Sequence, residues 1–200
     1  MKKILRTLLV PGLCMTLVHQ AQSQLRTPAL FSELSQDIKK IIRDYPNQFS
    51  HLQGDVVEEK TQSTDYDVNF NVSGAEKSVI TRYSAKGKPV VSWEATMLTT
   101  DDFEKASKEY NKLFKQFNHM AVKMDNGVTF YLQGDYETPL EQVKFSSAFL
   151  TFQKPEPAVQ KMKLEVALHY ELMEWKVKLL IYDRDREDDE RGEMTDAEND

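Results

Sequence analysis

Cysteine is almost absent from this chain: Cys14 is the only one in 200 residues. A lone thiol cannot close a disulfide within its own chain, nor can it supply the thiolate clusters of structural zinc sites. Glycine and proline are sparse too, seven of each, and no Gly-rich phosphate loop occurs. After residue 23 no apolar run approaches the about 20 residues that a spanning helix needs. Basic residues form no stripe of the kind that neutralises a phosphate backbone, which argues against nucleic acid as a partner. Catalytic signatures are missing as well. The chain contains neither a G-x-S-x-G elbow nor an H-E-x-x-H pair, and His51, His119 and His169 stand in separate segments without ligand spacing.

What is present begins at the first residue. Lys2, Lys3 and Arg6 precede a mostly apolar stretch from Leu8 to Val18, and Ala21-Gln22-Ser23 has the small-x-small form of a cleavage site. Residues 1–23 therefore read as a removable bacterial export signal, cut after Ser23, with a periplasmic or secreted product. Cys14 falls inside this segment, so the exported chain is cysteine-free. Charge is distributed unevenly. The formal total is −6; ten acids against three arginines place −7 on Asp183 to Asp200, and the signal carries +3, which leaves residues 24–182 near −2. Residues 183–200 hold too little apolar surface to offset chain entropy and read as a disordered acidic tail. Asp183-x-Asp185 only superficially resembles the start of a calcium loop, because Asp188 stands where the turn needs glycine.

Between signal and tail, periodicity predicts a single α+β domain, 24–182. A helix opens at Thr27-Pro28, buries Leu30, Leu34, Ile38, Ile41, Ile42 and Tyr45, and stops at Pro46. Phe49 and Leu52 suggest a helical turn, and Gly54 to Asp65 reads as a loop. Strands follow at Val68 to Val72, Ser78 to Tyr83 and Val91 to Met97, the last two a hairpin through Ala85-Lys86-Gly87. A second helix opens at Thr99 to Asp101 and buries Phe103, Ala106, Tyr110, Leu113, Phe114 and Phe117.

Two hairpins can be registered from their side chains alone. A three-residue loop at Asp125-Asn126-Gly127 sets Val122 against Phe130 and Met120 against Leu132. A turn at Glu171 to Glu174 sets Tyr170 against Trp175, Leu168 against Val177, Val166 against Leu179 and Leu164 against Ile181. With a further strand at Lys144 to Gln153, the order is α-βββ-α-βββββ: an antiparallel sheet of about 7–8 strands packed on two amphipathic helices. A helix followed by three strands can be read twice, from Pro28 and from Asp101.

Candidate chemistry is thin. Ser73 before Gly74 and the pair Ser146-Ser147 are the nearest serine nucleophiles; Glu58-Glu59, Asp135 and Glu137 are loop acids that could face a cleft. His169 reads as a solvated edge residue opposite Lys176. Trp93, Trp175, Phe130, Phe149 and Tyr170 could line an apolar pocket, although aromatics at strand spacing more often form core. One feature departs from turn chemistry: Leu172 and Met173 occupy the tip of the last hairpin, where Gly, Asn or Asp are usual. Two such residues either pack beneath a helix, the commoner outcome, or form a weak docking point presented outward. The resulting expectation is an exported, non-enzymatic binding protein with an unknown protein partner or small ligand and no cofactor or metal. The alternatives are a hydrolase whose site assembles only in the fold, or a carrier of a small apolar ligand.

Overall fold

The computed structural model describes residues 27–84 and 90–183. The segment read as an export signal, the residues after Asp183 read as a disordered tail, and the loop expected at Ala85-Lys86-Gly87 lie outside the described residues. Helix α1 (Thr27–Asp44) buries Leu34, Ile38, Ile41 and Ile42 at three- and four-residue spacing, and Pro46 follows its last turn. A short 3-10 turn, Tyr45–Asn47, then reverses the chain, with Gln48 and Phe49 both at positive φ. Asp44 fastens this reversal. Its buried carboxylate accepts from Asn47 Nδ2 at 3.0 Å and the His51 amide at 3.1 Å, and lies 2.6 Å from His51 Nδ1.

Residues 54–65 are not a loop. They contribute to β1 (Gln53–Glu59) and β2 (Ser63–Val68), an antiparallel hairpin at one sheet edge. Most of β1 is exposed on both faces, so its side chains carry no alternation, and pairing rests on backbone bonds that composition does not report. The strand expected at Val68 to Val72 instead ends at Val68. Beyond it, Ser73 is held by Asp37 of α1, which accepts from its amide at 2.8 Å and its hydroxyl at 2.6 Å. That anchor draws the segment out of the sheet.

β3 (Lys77–Tyr83) and β4 (Val90–Thr100) pair as expected, Ile80 opposite Trp93. Because β4 runs through Thr100, α2 spans Phe103–Phe117 and opens slightly later than the sequence suggests. Asp102 caps it by accepting from the Lys105 amide at 3.1 Å. Its buried face is Ala106, Tyr110, Leu113, Phe114 and Phe117.

β5 (Ala121–Lys123) and β6 (Thr129–Gln133) take the register read from the sequence. Val122 faces Phe130, the Met124 amide donates to Val128 O at 2.8 Å, and Gly127 has φ +87°. β7 (Phe145–Phe152), β8 (Met162–Glu171) and β9 (Glu174–Asp183) complete the set, and all four expected β8–β9 pairs are present. Gly134 is a steric requirement: a Cβ there would stand 2.0 Å from Phe149 O.

The nine strands of the described residues form one sheet in the order β1-β2-β3-β4-β9-β8-β7-β6-β5, every pair antiparallel. Each half is a helix followed by a meander, of four strands in the first and five in the second, not three as the α-βββ reading had it. β4 and β9 join the halves, with Trp93 opposite Ile181 and Ala95 opposite Leu179. α2 packs across β4, β8 and β9. Trp93, Tyr110, Leu113, Leu150, Leu164 and Val177 are completely buried between these layers.

Candidate functional site

Strand alternation that sends Trp93, Ala95, Val177 and Leu179 into the core sends their neighbours to the opposite face. This open face is strongly polar. Lys178 bridges Glu94 at 3.0 Å and Glu171 at 4.0 Å, and Lys176 reaches Glu171 at 3.5 Å. At the β1–β2 end, Lys60 bridges Asp65 at 2.8 Å and Glu58 at 3.3 Å, and Thr81 donates to Asp65 at 2.8 Å. Burial pushes the Asp65 carboxyl up, but the hydrogen bonds from Lys60 and Thr81 and the charges of Lys60 and Lys77 together outweigh it and leave the group below its ordinary value. Together the two groups border a groove of about 500 Å³.

Farther along this face, Glu165 is buried. Tyr182 Oη donates to it at 2.8 Å and Ser147 Oγ donates to its other oxygen. Ser147, one of the candidate nucleophiles, is thus bound to a carboxylate, and Ser73 is bound to Asp37. Glu58 and Glu59 lie in β1, whereas Asp135 and Glu137 lie in the 134–144 connection, so the candidate acids do not converge. His169 is no edge residue. β8 lies between β7 and β9, and the imidazole meets the Phe145 ring edge-on at 4.8 Å. Burial, assisted by Lys178, lowers its pKa, against opposing contributions from Glu94 and Glu171. His51 is solvent-exposed beside Asp44, and His119 follows α2 at φ +65°. Among the described residues no group of three metal-ligating side chains occurs. Of the aromatics that could have lined a pocket, Trp93, Trp175 and Phe130 are buried in the core, whereas Phe149 and Tyr170 are exposed at 37% each.

The β8–β9 tip departs most from ordinary chemistry. Leu172 and Met173 are 82% and 81% exposed, so they do not pack beneath a helix. Both have left-handed backbone, φ +53° and +68°. Two consecutive positive φ values fit the twist of a tight hairpin, but Asn-Gly is the usual solution because a side chain there costs about 1 kcal/mol or more per residue. The stem beneath is packed by aromatic rings. Tyr170 and Phe103 each pack against Trp175 at 4.9 Å, and Lys144 Nζ lies 4.2 Å from the Tyr170 ring. Leu140, Val143 and Phe145 are exposed near the same end of the sheet, where Lys144 O accepts from the Tyr170 amide. The tip was visible in the sequence as a turn of the wrong composition. The groove was not, because its residues come from segments as far apart as Glu58 and Lys178.

Comparison with models of protein families, with curated proteins and with solved structures gives no match.

Proposed function

We propose that this chain is an exported, non-enzymatic interaction protein of the periplasm or cell exterior that docks a protein partner through the β8–β9 tip. One observation carries the reading: Leu172 and Met173 are held outward in strained backbone above a stem whose Tyr170 and Trp175 rings pack together. Neither exposure nor strain favours folding, so the pair is explained by what it meets outside the chain. The address rests on the signal-like residues 1–23, and the acidic tail is a candidate second contact for a basic partner. Helix-plus-meander halves, with β4 and β9 as corresponding strands, support descent from a duplicated unit.

The alternatives gain less. A carrier of an apolar ligand needs internal space, and the core is occupied by Trp93, Tyr110 and Phe117. A hydrolase needs uncommitted acids converging on one point, whereas the groove carboxylates are engaged by Lys60 and Lys178.

The test is capture from envelope fractions by immobilised full-length protein, compared with the double variant Leu172→Asn, Met173→Gly. A partner held by the native chain and lost by the folded variant is the expected result. Equal capture by both would remove the tip from the mechanism.

A further inference from the structure

We propose that the groove on the open sheet face binds a neutral saccharide. This site is separate from the β8–β9 tip and would stand if the tip had no partner. Its volume, about 500 Å³, falls in the range of small-molecule sites. Its lining chooses among ligand classes. Two triplets bound it, Glu58–Lys60–Asp65 and Glu94–Lys178–Glu171, each an ammonium between two carboxylates. Lys77 adds one more cation, which leaves the lining close to charge balance. An ionic ligand would have to displace a counter-charge already in place.

A neutral polyol does not. Each of its hydroxyls can donate to a carboxylate oxygen and accept from an ammonium or a protein hydroxyl. Such capacity is left over in the groove. Glu58 and Glu94 each engage lysine through one oxygen, and neither Ser63 nor Thr96 uses its hydroxyl on another described residue. Strand spacing of about 4.8 Å repeats these groups laterally across β2, β3 and β4. Tyr83, on the same side of β3 as Thr81, also lines the groove.

Amide NMR of the full chain, titrated with cellobiose, maltose or chitobiose as neutral probes and with galacturonate or spermidine as charged ones, tests the assignment. The expected result is a saturable shift of the Thr81, Glu94, Thr96 and Lys178 amides with at least one neutral disaccharide. Ser63→Ala and Thr96→Val break no side-chain hydrogen bond to another described residue and should each weaken that binding about three- to tenfold. No saturable shift with any neutral probe would overturn the proposal. So would equal or stronger binding of galacturonate or spermidine at these amides, or undiminished affinity in Thr96→Val.

Discussion

Leu172 and Met173 set local backbone energy against exposure, and the balance can be measured. Replacing the pair with Asn-Gly should raise unfolding stability by about 1–2 kcal/mol, because the new residues accept positive φ readily. Urea denaturation checks this; a loss of stability would mean that the tip contributes packing. Tyr110 presents the opposite case. It is fully buried on α2 with no hydrogen-bond partner for its hydroxyl among the described residues, and burial raises its pKa strongly. Tyr110→Phe should be neutral or stabilising by up to about 1 kcal/mol, since the lost hydroxyl was desolvated without compensation. The pH consequence has a definite sign. A folded-state pKa above the unfolded value of 10.0 leaves Tyr110's contribution intact below pH 10 and removes it as pH rises further. Wild type should therefore lose stability above pH 10 more steeply than Tyr110→Phe, as read from denaturation midpoints.

Among the elements, those with one buried face were legible from the chain alone. The β8–β9 register follows from the apolar positions that alternate from Met162 to Tyr170 and again from Trp175 to Ile181, and the β5–β6 register from the demand that Gly127 take the left-handed position. β1 was illegible for the complementary reason: an exposed edge strand needs no apolar side, and Asp55, Val56, Val57, Glu58 and Glu59 alternate nothing. Its irregular pairing and acidic side chains also discourage a second strand from adding there. His169 was misplaced because strand order is not written locally. Inside the sheet its pKa is lowered by burial, so its stabilising contribution is complete above about pH 6.5 and is lost as pH falls below that value. His169→Gln should therefore flatten the decline in melting temperature between pH 7 and pH 5. An unchanged profile would place the acid sensitivity elsewhere. Removing the α2 cap, Asp102→Ala, should lower the melting temperature in the same melts.

For the whole molecule, the decisive element is the seam between the meanders. Every other strand pair joins neighbours in sequence, whereas β4 pairs with β9, so Ser92 meets Tyr182 and Thr100 meets Trp175. Trp93 stands at this seam, fully buried opposite Ile181. Trp93→Ala should cost about 3–5 kcal/mol, and chemical denaturation should show the loss in one cooperative transition that includes both helices. The seam also orders events in time. Synthesis delivers β1 to β4 first, but the strand that covers the inner edge of β4 is the last of the nine to emerge. Until residues 174–183 leave the ribosome, Trp93 and Ala95 lack their β9 partners Ile181 and Leu179, and the sheet cannot close. Closure of the fold therefore waits on its last strand, and a chain cut before residue 174 leaves β4 and β8 each with an unpaired edge.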